Sequence, residues 1–295
     1  MEIKSVQIQL TSSCNERCVF CRKYTWPKME LDIFKLIGIL EKYPDATYQF
    51  SGGDPLEYSC LQALNKLLAS RGIKYKVFSN MTYALNEDQE EFLDCAESIS
   101  VSLDSIIDKK YCDIRRPSDR LAFVNLISNI RHYSNKVTAN VVITRHNVSE
   151  LIAIALYCKM IGVKSRFYWL HTNMESEVLN KAFWAQTILT ELSMMDIGDS
   201  NLEFAMNNIP TGEESEWVPC HVKKAHRVVD EQGREYTCCY AINDNGFDID
   251  GQNEIKKLAD QAENIYVKYK YCDHCSRYLK ANKDWANLKD KQIFL

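Results

Sequence analysis

The chain has 295 residues, 46% hydrophobic and 26% charged, which is ordinary for a globular protein with one large and one small domain. A net charge of −4 argues against nucleic acid as a partner, and no run of 18 apolar residues predicts a membrane span. The start of the chain lacks a signal-peptide pattern, so we expect a cytoplasmic protein. In that reducing compartment, twelve cysteines are more often metal ligands than disulfides.

The chain opens on an alternation of short β-rich segments and longer helical patterns. Six strand–helix units with crossovers of this length predict an α/β fold with a parallel sheet and outer helices, an open, partial (β/α)6 TIM-like barrel. Active residues in such sheets lie at the carboxyl ends of the strands. The predicted strands are Val6–Leu10, Thr47–Ser51, Lys74–Phe78, Ile99–Leu103, Thr138–Ile143 and Val163–Trp169, and the predicted helices are Leu31–Tyr43, Leu61–Ala69, Glu87–Ala96, Leu121–His132 and Ser149–Ile161.

Directly behind the first strand, three cysteines follow one another at spacings of four and three residues, Cys14, Cys18 and Cys21. Thiolates on one loop suit an iron–sulfur cluster or zinc. A structural zinc site would normally need a fourth Cys or His nearby, and the first histidine is His132. Three ligands on a [4Fe–4S] cluster leave one iron open for a small molecule. The competing interpretation is a chance grouping of small, buried hydrophobic side chains.

Further candidates follow the later strands. Gly52 and Gly53 precede Asp54 at the end of the second strand, where glycines let the backbone come close to a ligand. In the fourth strand, period-two alternation puts Ser98, Ser100, Ser102 and Asp104 on one face. That face predicts a polar lumen, unless the strand is an edge strand that faces solvent. Asn80, Arg115 and Asn140 are further candidates, and Arg166, Tyr168 and His171 around the sixth strand could orient a substrate.

A long helical stretch follows, and the last eighty or so residues hold a second group of cysteines. A predicted hairpin that turns near Gly233 carries Cys238 and Cys239, and Cys220 precedes it. With a C-x-x-C pair further on, these thiols can enclose one tetrahedral or cubane centre, for which zinc would be the usual occupant. We predict three units: a barrel over 1–175, a connecting helix and linker over 176–206, and an auxiliary domain over 207–295. The C-x-x-C pair is Cys272 and Cys275.

The three-cysteine loop, with aromatic Phe20 before its last cysteine, resembles the cluster loop of the radical S-adenosylmethionine (radical SAM) enzymes. In that family, the open iron of a [4Fe–4S] cluster binds the amino and carboxylate groups of SAM. An electron from the cluster then breaks a carbon–sulfur bond, and the 5′-deoxyadenosyl radical abstracts a hydrogen atom from the substrate. The resemblance implies a one-electron donor such as flavodoxin or ferredoxin.

The resemblance also assigns roles to single residues. Gly52, Gly53 and Asp54 with Pro55 resemble a Gly-Gly-Glu-Pro motif that holds the SAM amino group, with aspartate in place of glutamate. Ser102 and Asp104 match positions that contact the ribose and methionine parts of SAM, and Asn140 could reach the ribose. Arg115 falls where relatives carry an arginine that approaches the SAM carboxylate, although the neighbouring Arg116 leaves the register open.

The C-terminal cysteines are similar to the shortened SPASM domain called twitch, which binds an auxiliary [4Fe–4S] cluster. The resemblance implies Cys220, Cys238, Cys272 and Cys275 as its ligands, with Cys239 as the competitor for Cys238. Two one-electron centres suit a radical SAM oxidoreductase that oxidises a small molecule or a peptide by dehydrogenation or crosslinking, with the auxiliary cluster as electron acceptor. The alternative is a non-catalytic iron–sulfur or zinc-binding scaffold.

Overall fold

The computed structural model describes residues 3–21, 27–169, 190, 218–219, 225–236 and 266–267. Its core is a parallel sheet in which sequential strands lie side by side, in the order β6-β5-β4-β3-β2-β1. The predicted alternation of strands and helices is confirmed, with strand ends within two residues of those expected. The strands are β1 (Ser5–Thr11), β2 (Thr47–Gly52), β3 (Tyr75–Ser79), β4 (Ser98–Ser102), β5 (Val137–Ile143) and β6 (Lys164–Trp169).

Helices connect these strands, because neighbouring parallel strands need a crossover connection and cannot be joined by a tight hairpin turn. Capping residues fix the N-terminal ends of two of these helices. The Asp32 side chain accepts hydrogen bonds from two backbone amides of the first helix, and Asn86 and Gln89 form a capping box on the third. The helices are α1 (Ile33–Lys42), α2 (Leu61–Ser70), α3 (Glu87–Cys95), α4 (Asp108–Arg115), α5 (Ala122–His132) and α6 (Leu151–Met160), and α4 was not predicted.

The core lies between the sheet and its helices. Val6, Ile8 and Leu10 of β1 are fully buried, as are Val77 of β3 and Val101 of β4. Removing this apolar surface from water is the main source of stability. No helix among those described is long and apolar enough to cross a membrane.

The predicted hairpin near Gly233 exists, but the sheet of the barrel extends to include it. The structure has two further pairs of strands, β7 (Val218–Pro219) with β10 (Tyr266–Val267), and β8 (His226–Val229) with β9 (Glu235–Tyr236). Strand β8 pairs in parallel with β1, so the sheet order continues β1-β8-β9. This hairpin lies within the predicted C-terminal unit, and the domain boundaries themselves stay predictions.

Candidate functional site

A cavity of about 230 Å³ lies against strands β2 to β5 and the loop that follows β1. Cys14, Cys18 and Cys21 of that loop, residues 14–21 and here called the cysteine loop, all line it. All three are free thiols, with Cys18 buried and the others half-buried. The structure thus brings the three predicted ligands to one cavity.

Helix α4 holds the cysteine loop in place. The last carbonyl groups of a helix have no partner inside it, and here the loop supplies the missing donors. The Val19 amide donates to the Ile114 carbonyl at 2.9 Å, and the Arg17 amide donates to the Arg115 carbonyl at 3.1 Å. A helix that was not predicted therefore carries Arg115 to the cavity and fixes the backbone on both sides of Cys18.

The two glycines at the end of β2 lie so close to the backbone before Cys14 that no larger residue fits. The Gly53 amide donates to the Thr11 carbonyl at 2.6 Å, and the Asp54 amide donates to the Ser13 carbonyl at 2.7 Å. A Cβ atom on Gly52 would lie 2.3 Å from the Thr11 oxygen, and one on Gly53 would lie 2.2 Å from the Ser13 oxygen. Both amides are thus used to dock the turn on the segment before Cys14. Both glycines also line the cavity, and their predicted close approach to a ligand stays a prediction.

Asp54 is buried, and its carboxylate accepts hydrogen bonds from residues around the cavity. Its oxygens accept hydrogen bonds from the Ser79 hydroxyl at 3.0 Å, the Asn80 amide at 2.7 Å and the Leu56 amide at 3.0 Å. Burial raises the pKa of the Asp54 carboxyl to about 7, and these three donors act against the rise. Asp54 therefore joins the end of β3 to the glycine turn; its predicted contact with SAM stays a prediction.

Arg115, not Arg116, faces the cavity. The Arg115 guanidinium pairs with Asp104 at 2.5 Å and with Glu16 at 3.7 Å, donates to the Cys18 sulfur at 3.5 Å, and lies 5.2 Å from the centre of the Phe20 ring. Arg116 is exposed and adopts a left-handed conformation that ends α4. Of the two neighbouring arginines, Arg115 thus lines the cavity, and its contact with the SAM carboxylate stays a prediction.

Glu16 was missed by the sequence analysis because a charged residue inside a loop normally faces solvent. Here it is only 4% exposed, and it lines the cavity. The Tyr111 hydroxyl donates to Glu16 Oε1 at 2.6 Å, and the Cys18 thiol lies 3.6 Å from Glu16 Oε2. Burial raises the pKa of the Glu16 carboxyl, against the effects of Arg115 and Tyr111. Loop and helix α4 are thus joined by a buried polar network.

Tyr111→Phe should lower the free energy of unfolding by about 1–3 kcal/mol, because the change leaves a buried carboxylate oxygen without its donor. Urea unfolding followed by circular dichroism measures the difference. Tyr157→Phe is the matched control, since the buried Tyr157 hydroxyl has no hydrogen-bond partner within the described structure. Equal stability of the two variants would contradict a stabilising role for the Tyr111–Glu16 bond.

The polar face of β4 points into the cavity, as its alternation predicts. Ser100 and Ser102 line the cavity, whereas Ile99 and Val101 are fully buried on the other face. Asp104 does not line it; the Asp104 carboxylate is fully buried, pairs with Arg115 and accepts from the Val142 amide at 2.8 Å. Burial raises the pKa of Asp104 while Arg115 acts against this.

Apart from Asp104, every described residue that was predicted to hold the cluster or SAM lines the cavity, whereas the described substrate candidates do not. Arg166 and Tyr168 lie on β6 and are not among the lining residues, and His171 lies outside the described residues. Ser51, Phe78 and Ser79 line the cavity without having been predicted. The predicted site residues that line the cavity are Cys14, Cys18, Phe20, Cys21, Gly52, Gly53, Asp54, Asn80, Ser102, Arg115 and Asn140, and their roles stay predictions.

The chemistry of the three thiols fits a cluster better than a lone zinc ion. Within the described ranges, no three Cys, His, Asp or Glu side chains converge closely enough to hold one metal ion. A cubane needs a wider arrangement, because each thiolate binds a different iron atom. Burial raises the pKa of the Cys14 and Cys18 thiols above their usual range.

Cys220, Cys238, Cys239, Cys272 and Cys275 all lie outside the described residues. The auxiliary cluster stays a prediction.

Comparison with known proteins identifies the family. The family model described as "Radical SAM superfamily" matches residues 8–158, just over half of the chain. The chain belongs to the radical SAM superfamily. Its members use a [4Fe–4S] cluster and SAM, and the matched residues hold the cysteine loop, the glycine turn and the polar face of β4.

Relatives of this radical SAM protein have diverse names. It is 28% identical to a GTP 3′,8-cyclase of Aquifex aeolicus, with 99% of this chain and 96% of the relative aligned. It is 26% identical to an S-adenosylmethionine-dependent nucleotide dehydratase of Lacinutrix mariniflava over 52% of this chain, but the match spans only 35% of that relative.

Solved structures share the fold at low identity. The anSMEcpe structure with bound AdoMet and Cp18Cys peptide has a TM-score of 0.64 at 14% identity, and covers 98% of this chain and 97% of its own. SuiB of Streptococcus suis bound to S-adenosylmethionine has a TM-score of 0.64 at 14% identity, covering 84% of this chain and 63% of SuiB. These likenesses confirm the partial TIM-like barrel.

Proposed function

We propose that Cys14, Cys18 and Cys21 hold a [4Fe–4S] cluster whose fourth iron binds SAM, and that the chain is a catalytic radical SAM enzyme. When bound, the reduced cluster supplies one electron that splits SAM into methionine and a 5′-deoxyadenosyl radical, which takes a hydrogen atom from the substrate. The observation that carries this proposal is the meeting of three free cysteines with the glycine turn and polar strand ends in one cavity. A non-catalytic scaffold has no use for that combination.

Two buried polar atoms support the predicted SAM contacts. Arg115 Nε and Asn140 Oδ1 are buried without a hydrogen-bond partner in the described structure, and both residues line the cavity. Buried polar groups in folded proteins almost always have a partner. A guanidinium donor suits the SAM carboxylate, and an amide acceptor suits a ribose hydroxyl. We assign Arg115 and Asn140 to these two groups, with Ser102 beside Asn140 toward the ribose, since Ser102 and Asn140 are register partners on β4 and β5.

We further propose that Cys220, Cys238, Cys272 and Cys275 bind an auxiliary [4Fe–4S] cluster that accepts an electron from the substrate radical, with flavodoxin or ferredoxin as the donor to the first cluster. The reaction is then a net oxidation of a small molecule or a peptide. Peptide substrates find support in the neighbouring structures, since SuiB has been solved bound to precursor peptide SuiA and anSMEcpe bound to Cp18Cys peptide.

A second candidate is a nucleotide substrate. Its support is the similarity over almost the full chain to a GTP 3′,8-cyclase, together with the partial match to a nucleotide dehydratase. Because 5′-deoxyadenosine keeps the hydrogen atom taken from the substrate, the radical left after cyclisation or dehydration must gain one electron and one proton. An auxiliary cluster would then act as electron donor and not as acceptor.

Anaerobic reconstitution followed by substrate trials separates these possibilities. About eight irons per chain support two cubanes, and about four support the first cluster alone. The reduced protein is then given SAM with ribose-deuterated nucleoside triphosphates, or with a deuterated cysteine-containing peptide. Deuterium in 5′-deoxyadenosine identifies the substrate class, and deuterium from neither probe rejects both of these substrates. Stoichiometric zinc without SAM cleavage would instead support the scaffold.

Cys272→Ala tests the electron-acceptor role. Loss of an oxidised product, with SAM cleavage retained, is expected if the auxiliary cluster only removes the electron. A normal product yield from this variant would contradict that role.

A further inference from the structure

The side-chain amide of Asn80 is fixed in one orientation at the carboxyl end of β3. Asn80 Oδ1 accepts from the Thr82 backbone amide at 3.1 Å and from the Thr82 hydroxyl at 2.7 Å. A backbone N–H can only donate, so the oxygen must face Thr82 and the nitrogen must face away. Asn80 is 5% exposed, which keeps water from competing for either end of the amide.

The nitrogen end faces the cysteine loop. Asn80 Nδ2 donates to Asn15 Oδ1 at 2.8 Å and to the Cys14 sulfur at 3.6 Å. Asn15 Nδ2 in turn donates to the Thr82 hydroxyl at 2.8 Å. The hydroxyl, the Asn80 amide and the Asn15 amide thus form a closed ring of hydrogen bonds. Asn80 has two N–H hydrogens, and the ring uses one, which leaves the second for the sulfur.

The backbone that carries this amide is held from two sides. On one side, the Asn80 backbone amide donates to Asp54 Oδ2 at 2.7 Å. On the other, Asn129 of α5 donates to the carbonyl oxygens of Met81 and Tyr83, both at 2.9 Å. Met81 has a φ of 58°, a left-handed conformation that is uncommon for this residue type. The Asn80 side-chain N–H therefore points at the Cys14 sulfur before any metal is bound.

Hydrogen bonds to cluster sulfurs are among the factors that set the reduction potential of an iron–sulfur cluster. A donor stabilises the more electron-rich, reduced state more than the oxidised state. We propose that Asn80 is a positioning residue for the N-terminal cluster: its side-chain N–H, aimed by Thr82 and Asn15, donates to the Cys14 sulfur and raises the potential at which the cluster is reduced. This inference rests on the proposed function only in placing a cluster on Cys14.

The test is a redox titration of the reconstituted full-length protein without SAM. The electron paramagnetic resonance signal that is followed is the one that Cys18→Ala removes, so that an auxiliary cluster does not interfere. Asn80→Ala should shift the midpoint potential of this signal to a more negative value. Asn129→Ala is the matched control, since Asn129 holds the same turn without reaching a cysteine, and its potential should shift much less than that of Asn80→Ala.

An Asn80→Ala protein with wild-type potential would overturn the proposal, and so would an equal shift in Asn129→Ala, which would indicate a structural role only. If Asn80→Ala fails to load iron, the redox titration of Thr82→Val tests the proposal instead. This substitution removes one hydroxyl from the ring and keeps the Asn80 side chain, and it should give a smaller shift in the same direction; no shift overturns the proposal. Failure of the proposed function shows differently, as wild-type protein that loads iron but forms no 5′-deoxyadenosine.

Discussion

Gly53→Ala is expected to prevent assembly of the N-terminal cluster. The new Cβ atom would lie 2.2 Å from the Ser13 oxygen and 2.5 Å from the Ser12 oxygen, and both are backbone atoms directly before Cys14. Because a rigid backbone cannot yield as a flexible side chain does, we expect a loss of about 3 kcal/mol of stability, at the upper end for overpacking. Displacement of residues 12–13 also moves Cys14. Iron content after reconstitution and urea unfolding measure the two effects.

Gly38→Ala is the matched control for this change. Gly38 lies in helix α1, and a Cβ atom there would meet no atom within 4 Å. Alanine in an open helical position should increase stability by about 0.5–1 kcal/mol and leave iron content unchanged. Wild-type iron content in Gly53→Ala would show that the turn does not need to approach the cysteine loop so closely.

Cys18→Ala should abolish formation of 5′-deoxyadenosine. Cys18 is buried against Arg115 and Glu16. Among the described residues, the other thiols that line the cavity are those of Cys14 and Cys21, which are already assigned as ligands. A cluster left with two protein ligands is not held at the site. The nucleoside is measured by chromatography after dithionite and SAM are added.

Cys112→Ala provides the control for loss of a thiol as such. Cys112 lies on α4, contacts Asp108 at 3.3 Å and does not line the cavity. The Cys112→Ala protein should therefore cleave SAM at the wild-type rate. SAM cleavage by the Cys18 variant at a rate comparable with Cys112→Ala would contradict the assigned ligand set.

The strands were predictable because each carries its own signal. Strands β1 to β5 place buried apolar residues at alternate positions over five to seven residues, and the helices between the strands have clear periodicity or caps. Helix α4 was missed because its cavity-facing residue is Arg115, which breaks the apolar pattern expected of a buried face. The pairing of β8 with β1 joins Ser5 to His226 across most of the chain. No local pattern reports such a contact.

The site was predictable where chemistry restricts residue type and position. Three cysteines on one loop, two glycines at a strand end and serines at every second position of β4 each indicate a function before any contact is known. Glu16 and Tyr111 could not be found in this way, because each becomes part of the site only through a partner distant in sequence. Asp54 illustrates the same limit: its position was predicted, but its hydrogen bonds to Ser79 and Asn80 depend on how β2 and β3 meet.

The most direct measurement is the amount of 5′-deoxyadenosine formed per chain when anaerobically reconstituted wild-type protein is reduced with dithionite and given SAM. A cluster on Cys14, Cys18 and Cys21 with an open iron predicts that the nucleoside appears together with methionine, and only when both reductant and SAM are present. The contradicting result is protein that binds the iron of one cubane, about four atoms per chain, and yet leaves SAM intact.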